Sequence, residues 1–225
     1  MKQETYRYYA GIFDRFSDER LFPQNLEFIL KVVGRLERGD KVADVGGGTG
    51  YFTSKLLTLF PFVELTFIEP SPEMMALAKG RLPEATRFLE RKLDDVLEEL
   101  EPMDVFIFQR SLYCFYSRLD DYRALAARLF EKTAPGGRVA IYEFDSKYDL
   151  EGVRVYLMAK RSSFDLNERE FEESLRLFLE VLGEFNRSVD DGSFTLFRPG
   201  EIESVFNGAG FATLSQGDSS YFFKK

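Results

Sequence analysis

The residues with the clearest chemical meaning are the glycines and the acid in the segment KVADVGGGTGYF, residues 41 to 52. Gly46, Gly48 and Gly50 occupy every second position, and Asp44 stands two positions before the first of them. Glycine accepts a positive φ and lets a ligand approach the backbone closely. An acid at the entry of such a loop suits a ligand with a cationic amine rather than a pyrophosphate.

A second acid extends this pattern. Glu69 ends the apolar segment VELTFIEP, 19 residues after Gly50 (69 − 50), where a carboxylate can accept hydrogen bonds from both hydroxyls of a ribose. The dinucleotide fingerprint G-x-G-x-x-G is missing, because from Gly46 it requires a glycine at position 51, where Tyr51 stands. The two acids and the loop therefore predict a nucleoside ligand whose attached chain bears an ammonium group and no phosphate.

Alternating apolar and helical patterns predict the elements that position these residues. Strands are predicted at residues 41–45, 63–70, 85–93, 103–109 and 138–144, followed by a closing pair within 211–223. Helices are predicted at residues 5–36, 51–60, 71–80, 120–132, 150–190 and 198–210. Strands and helices that alternate at this spacing indicate right-handed crossovers and a parallel sheet covered on both sides.

Composition narrows the chemistry further. The 225 residues include no His and one Cys, which excludes Ser-His-Asp and Cys-His catalysis and the common zinc sites, so no metal is predicted. A net charge of −8 disfavours a nucleic-acid partner. We expect a cytoplasmic protein with no membrane partner, because no apolar run is long enough to span a bilayer and the N-terminus does not have the pattern of a secretory signal.

Four segments together resemble the class I S-adenosylmethionine-dependent methyltransferases: VADVGGGTG, LTFIEPSPEMM, MDVFIFQRSLYCF and APGGRVAIYEF, in this order. The resemblance covers roughly residues 9 to 146 and the closing AGFATL. It implies an α/β fold with a Rossmann-like, doubly wound, mostly parallel seven-stranded sheet and an antiparallel last strand. It also implies S-adenosyl-L-methionine as cofactor and methyl transfer to an oxygen or nitrogen of a small or medium organic acceptor.

The same resemblance assigns the cofactor contacts. Asp44, Gly46, Gly48 and Gly50 would wrap the methionine part of the cofactor, and Glu69 would hold its ribose.

Later motifs add three contacts. Asp94, with its two neighbours beside it, would read the adenine edge, and Gln109 would lie under the cofactor. Tyr9, with Tyr8 as the next match, would close over the methionine end.

Candidate catalytic residues follow the predicted fourth and fifth strands. Glu143 and Asp145 could take a proton if the acceptor is a hydroxyl, and Tyr113, like Arg110 and Tyr116, could line the acceptor side. The alternatives are a solvated strand end for the two acids and core packing for the tyrosines. An acceptor that is a neutral amine or an ionised acid would need no base.

A single domain over residues 1–225 is expected. Its parts are N-terminal helices (1–38), a cofactor-binding core (39–146), an inserted helical cap (147–190) and a last helix with the closing strands (191–225). The stripe formed by Phe164, Phe171 and Phe178 could face the acceptor, form core or serve as a homodimer face.

Three other functions stay open from the sequence. They are a non-methylating or noncatalytic protein that binds the same cofactor, a nucleic-acid methyltransferase, and an NAD-dependent oxidoreductase.

Overall fold

The structure is a computed structural model that describes residues 12, 14, 16, 23–217 and 219–225. Its strands are β1 (Lys41–Val45), β2 (Glu64–Ile68), β3 (Arg87–Leu89), β4 (Met103–Gln109), β5 (Thr133–Tyr142), β6 (Ala212–Gly217) and β7 (Ser220–Lys224). Its helices with full bounds are α1 (Pro23–Val33), α2 (Tyr51–Leu59), α3 (Pro72–Lys79), α4 (Leu93–Val96), α5 (Leu119–Lys132), α6 (Leu150–Ala159), α7 (Glu168–Asp190) and α8 (Glu201–Gly208). Ile12, Asp14 and Phe16 are also helical.

The strands form one sheet in the order β3-β2-β1-β4-β5-β7-β6. Strands β1 to β5 pair in parallel, and β7 runs antiparallel to both β5 and β6. The order reverses beside β1, which lies between β2 and β4, and ligands of open α/β sheets bind outside the strand ends at such a point. The predicted fold class, including the antiparallel last strand, is confirmed.

Apolar residues on both faces of the central strands build two cores, as buried parallel strands require. Phe106 and Phe108 of β4 face the core shared with α5 and α8, while Val105 and Ile107 face the core shared with α1, α2 and α3. A third core lies under the cap, where α6 and α7 pack around Phe16. None of the described helices combines the length and the apolar character needed to cross a membrane.

The helix predicted at residues 71–80 is present as α3, and its first turn is well capped. Ser71 caps the helix by accepting a hydrogen bond from the Met74 N–H at 3.3 Å, and Pro72 occupies the first helical position. Glu73 lies in the first turn, where a negative charge favours the helix dipole. These contacts fix the chain just after Glu69.

The prediction of a strand over residues 85–93 was wrong in extent. Strand β3 ends at Leu89, and Leu93 begins the short helix α4. Leu93 and Val96 bury their side chains on one face of that turn, and the acids Asp94 and Asp95 favour its N-terminal end.

Three further boundaries differ from the sequence-based expectation. Strand β5 begins at Thr133 rather than at the predicted residue 138, and the PGG segment (135–137) lies inside it as an irregularity, with Gly136 at φ 78 and a register shift against β4. Helix α1 begins at Pro23, a residue that suits a first helical position, and ends at Val33. The cap is two helices, α6 and α7, separated by a turn at Arg161–Ser163.

Candidate active site

The glycine loop follows β1 at the point where the strand order reverses. Gly46, Gly48 and Gly50 have φ values of 68°, 60° and 71°, in the region that costs an L-residue about 1–2 kcal/mol. A Cβ added at Gly48 would meet nothing within 4 Å, whereas one at Gly46 would lie 2.6 Å from the Ser111 Cβ. Gly48 therefore borders open space, while Gly46 permits the end of β4 to approach the loop.

A fourth glycine is required by packing, which the sequence reading missed. A Cβ at Gly47 would lie 2.2 Å from the ring of Phe67 and 2.8 Å from Asp44 Oδ2. Phe67 is fully buried in β2. The loop is thus pressed against the neighbouring strand, and no spacing rule for ligand-binding glycines reveals this contact.

Asp44 is buried at the end of β1, with 1% of its surface exposed. The Thr53 hydroxyl donates a hydrogen bond to its Oδ2, and its Oδ1 has no partner among the described residues. Burial raises the pKa of Asp44 to about 7, against the lowering effect of the Thr53 hydrogen bond. The loop therefore contains a buried acceptor oxygen with nothing to accept from.

Glu69 connects β2 to the glycine loop. Its Oε1 accepts from the Ser71 N–H at 2.8 Å and its Oε2 from the Gly48 N–H at 3.0 Å. Burial raises the pKa of Glu69, and the two amide hydrogen bonds act in the opposite direction. Each carboxylate oxygen keeps a second lone pair, so two ribose hydroxyls can still donate to this side chain.

These features fit the predicted adenosyl ligand with an amino-acid end. The unpartnered Asp44 Oδ1 suits an ammonium group, the open side of Gly48 leaves space for the ligand, and Glu69 has acceptor capacity left. We call Asp44, residues 46–50 and Glu69 the cofactor cradle.

The remaining predicted cofactor contacts have less support from the geometry. Asp94 accepts hydrogen bonds from the Tyr116 hydroxyl at 2.6 Å and from Arg128 Nη1 at 2.7 Å, and its adenine role stays a prediction. Gln109 ends β4, partly buried and in register with Tyr142, and its role stays a prediction too. Tyr9 and Tyr8 lie outside the described residues.

An N-terminal residue, Asp14, contacts the cradle in a way that the sequence did not reveal. Asp14 accepts from the Thr49 hydroxyl at 2.5 Å and from Arg81 Nη2 at 2.6 Å, and Arg81 Nη1 donates to the Thr49 carbonyl at 2.9 Å. These partners lie 35 and 67 positions from Asp14, so no local pattern connects them. Two residues further on, Phe16 is buried in the cap core, and the same short segment therefore contacts both the cradle and the cap.

The cap stripe packs as core. The Phe16 ring lies 5.1 Å from the ring of Phe164, 6.3 Å from that of Phe171 and 4.9 Å from that of Phe178, centroid to centroid. Of the alternatives left open by the sequence, core packing accounts for these three phenylalanines.

The two candidate bases after β5 have opposite surroundings. Glu143 is 2% exposed and accepts from the Tyr113 N–H at 3.1 Å and the Phe144 N–H at 3.0 Å. Burial raises the pKa of Glu143 to about 7, against the lowering effect of these amides. Asp145 is exposed and accepts from the Ser146 hydroxyl at 3.1 Å. Glu143 therefore has the raised pKa expected of a general base near neutral pH.

Tyr113 belongs to a group of rings between β4, β5 and the cap. Its ring lies 5.6 Å from Phe144, 5.1 Å from Phe185 and 4.8 Å from Phe194, each edge-on. Tyr148 packs on Phe144 and Phe185 at 5.1 Å and 5.2 Å. We call these five residues the aromatic cluster. The packing interpretation of Tyr113 fits its ring contacts, and a catalytic role for it stays a prediction.

Cys114 lies between the cradle and the aromatic cluster but is unsuited to nucleophilic chemistry. Its Sγ donates to the Ser111 carbonyl at 3.0 Å. Burial raises the pKa of Cys114 to about 12, with Glu143 and Glu69 adding to the rise. The side chain is thus a thiol at neutral pH, and a thiol is a poor nucleophile.

The structure also contains a cavity of about 770 Å³ away from these residues. It is lined by Lys41, Glu64, Arg87 and Met103, which begin β1, β2, β3 and β4. It therefore lies at the amino ends of the strands, opposite the cradle. Among the described residues no group of three or more His, Cys, Asp or Glu side chains is placed to hold a metal.

Comparison with known proteins gives the family. The model of a methyltransferase domain matches residues 15–216. The trans-aconitate 2-methyltransferase of Variovorax paradoxus is 30% identical over 137 residues, covering 61% of this chain and 50% of that protein. The enzyme of the same name from Escherichia coli K12 is 27% identical over 180 residues, 80% of this chain and 68% of that protein.

Solved structures agree on the fold. Human N-acetylserotonin methyltransferase in complex with S-adenosylmethionine matches with a TM-score of 0.60 at 16% identity, over 100% of this chain and 56% of that one. Haemonchus contortus phosphoethanolamine N-methyltransferase 2, also with S-adenosylmethionine, matches with a TM-score of 0.57 at 20% identity, over 92% and 44%.

The chain therefore belongs to the methyltransferase domain family. The predicted resemblance to S-adenosylmethionine-dependent methyltransferases, and with it the cofactor, is confirmed. The chain spans about half the length of the first curated relatives it matches.

Proposed function

We propose that this protein transfers a methyl group from S-adenosylmethionine to an oxygen or nitrogen of a small or medium organic acceptor. The observation that carries the proposal is the cofactor cradle, in which a buried Asp44 with an unpartnered acceptor oxygen precedes a glycine loop that is open at Gly48 and is bonded by Glu69. A tight strand–helix turn with no ligand would not require an unpartnered buried carboxylate oxygen, because such a group is costly to bury.

Within this proposal the chain mainly positions its ligands and keeps water out. The bound cofactor supplies a methyl group already activated on a sulfonium. Asp44 pairs with the cofactor's ammonium, and Glu69 accepts from its ribose hydroxyls. The aromatic cluster provides an apolar wall beside the acceptor, and apolar walls strengthen the electrostatic contacts made inside a site.

When the methyl acceptor is a hydroxyl, Glu143 is the base that takes its proton in this proposal. A carboxylic acid with a pKa of about 7 is ionised above that pH, so turnover with a hydroxyl acceptor should rise as pH increases through 7. Asp145 is exposed, and a role for it stays a prediction.

The curated relatives are named for trans-aconitate, the anion of a carboxylic acid. We include carboxylic acids among the acceptors on that ground. A homodimer through the cap remains a proposal, and α6 exposes Val155 and Met158 on its outer face, at 58% and 44%.

Incubation with S-adenosylmethionine and a panel of hydroxyl, amine and carboxylate acceptors tests the proposal. We expect S-adenosylhomocysteine and a methylated product, both detected by mass spectrometry, with at least one acceptor. Cofactor binding without turnover on any acceptor would favour the noncatalytic alternative, and binding of NAD in place of the sulfonium cofactor would contradict the proposal.

A further inference from the structure

Arg110, the first residue after β4, has an unusual backbone. Its φ is 53°, one of two positive values among the described non-glycine residues. The Arg110 N–H donates to the Tyr142 carbonyl at 2.6 Å, which extends the β4–β5 pairing by one bond. A left-handed arginine costs about 1–2 kcal/mol, and strain of this kind concentrates at binding sites.

The guanidinium of Arg110 is surrounded by rings. It lies 4.9 Å from the centroid of the Tyr142 ring and 5.1 Å from that of Phe144, which belongs to the aromatic cluster. Its one hydrogen bond to the described residues goes from Nη2 to the Tyr142 hydroxyl at 3.3 Å. A guanidinium has five N–H donors, so most of its donors are unmatched there although the residue is partly buried.

Several other arginines of the described chain with largely covered side chains are paired with acids, although Arg35 is not. The closest carboxylate contacts are 2.6 Å for Arg81, 2.7 Å for Arg128 and 3.3 Å for Arg138. Arg110 has no carboxylate within 4.0 Å among the described residues. Against the lowering effect of burial, the charge of Glu143 raises the pKa of Arg110, but no hydrogen bond and no ion pair within 4.0 Å joins these two described residues.

A buried cation without a counter-ion is unfavourable unless a ligand supplies one. Arginine's planar fork matches a carboxylate in two parallel hydrogen bonds, and flanking rings hold the fork in place. We infer that Arg110 binds a carboxylate of the methyl acceptor, and that this acceptor is a small carboxylic acid with an apolar or aromatic body. The inference rests on the proposed function, because it identifies the acceptor of that same site.

The rings specify the rest of the acceptor. The aromatic cluster lies beside Arg110 through Phe144, so a ligand bound by its carboxylate would extend over aromatic surface. The cofactor's methionine end also carries a carboxylate, and an experiment must separate the two sources.

Calorimetry on the full chain saturated with S-adenosylhomocysteine provides that separation. The probes are phenylacetate, cinnamate, octanoate and trans-aconitate, each compared with its amide. We expect the wild type to bind at least one acid about tenfold more tightly than the matching amide, as a charge-assisted pair predicts. Arg110→Gln should abolish that preference, Arg110→Lys should keep part of it, and both should change S-adenosylhomocysteine affinity less than about twofold.

Arg35→Gln is the matched control. Arg35 also stacks on a ring, 4.3 Å from the centroid of Phe222, and donates to the Lys31 carbonyl at 2.7 Å and the Ser215 hydroxyl at 3.0 Å. Its backbone carbonyl accepts from Arg138, which lies four residues before the carboxyl end of β5. The control should keep the acid preference of the wild type.

Each outcome decides the question. A wild type that binds S-adenosylhomocysteine but prefers none of the acids overturns this inference and leaves the proposed function standing, and this comparison holds even where Arg110→Gln does not fold. A loss of S-adenosylhomocysteine affinity in Arg110→Gln would assign the arginine to the cofactor and would also overturn it. Absence of heat with S-adenosylhomocysteine in the wild type would overturn the proposed function itself.

Discussion

The cofactor cradle and the aromatic cluster meet at the same edge of the sheet but are built differently. The cradle is made mostly of backbone: its two carboxylates are held by loop amides and a threonine, and its glycines tolerate no added atom at Gly46 or Gly47. The cluster is made of side chains from the segments that follow β4, β5 and α7 and from α7 itself, and their rings meet edge-on about 5 Å apart. A backbone site is fixed by the strand ends, whereas a side-chain site changes with the cap.

Gly47→Ala should produce the largest loss of stability, and the substitution lies within the cradle. Its Cβ would overlap the buried ring of Phe67, so we expect a loss of about 3 kcal/mol in unfolding free energy. Urea denaturation measures this loss. Gly136→Ala is the control, because it adds a Cβ at φ 78 with nothing within 4 Å. It should cost about 1–2 kcal/mol and leave cofactor affinity unchanged.

Glu69→Ala tests the ligand-binding half of the cradle. Two ribose hydroxyls would lose a charged partner, and we expect cofactor affinity to fall by about 1–3 kcal/mol. Calorimetric titration measures this, and acceptor affinity with cofactor at saturation should change little. Glu99→Ala removes an exposed acid that pairs with Arg91 and should leave cofactor affinity unchanged. Equal cofactor affinity of the wild type and Glu69→Ala would contradict the role of Glu69 in binding the ribose.

Glu143→Gln probes the cluster through pH. The pKa of Glu143 is raised from 4.5 to about 7 in the folded chain. Its contribution to the free energy of unfolding is therefore complete below pH 4.5 and is lost as the pH rises through 7. Asp44 follows the same sign, raised from 3.8 to about 7. Between about pH 5 and 8 the wild type should lose on the order of 2 kcal/mol of unfolding free energy for each of these two groups. Glu143→Gln should lose only the part that belongs to Asp44.

Urea denaturation at a series of pH values measures this difference. Asp145→Asn, which changes the exposed acid two positions away, should keep the wild-type slope. Parallel pH profiles for wild type and Glu143→Gln would show that burial does not control this carboxylate.

The smallest effect is expected where the N-terminal segment contacts the cradle. Asp14→Ala removes the acceptor for Thr49 and Arg81, and we expect about 1 kcal/mol of cofactor affinity to be lost because the pair is partly exposed. Asp120→Ala, which breaks the exposed pair with Arg123, is the control. A larger loss than that of Glu69→Ala would mean that the N-terminal segment, rather than the loop, dominates binding.

The sequence names most residues of the cradle but few of the cluster, for a physical reason. Asp44, the alternating glycines and Glu69 sit at strand ends that hydrophobic patterns reveal, and backbone geometry restricts which residues can stand there. Asp14 and Arg81 meet through tertiary packing over 67 positions, and Arg110 is distinguished by its positive φ and its ring contacts, which only the folded chain reveals. Local patterns carry none of that information.

The predicted elements failed where tertiary contacts override local preference. Residues 90–93 look strand-like, yet burying Leu93 and Val96 in a helical turn ended β3 early. The cap was predicted as one long helical region because its aromatic stripe is periodic, while the structure divides it between α6 and α7.

The cofactor cradle is tested most directly by calorimetric titration of the purified chain with S-adenosylhomocysteine and, separately, with NAD. Heat of binding with the first ligand and none with the second is the predicted result. Binding of NAD, or no heat with S-adenosylhomocysteine, would contradict the claim that Asp44, the glycine loop and Glu69 bind S-adenosylmethionine.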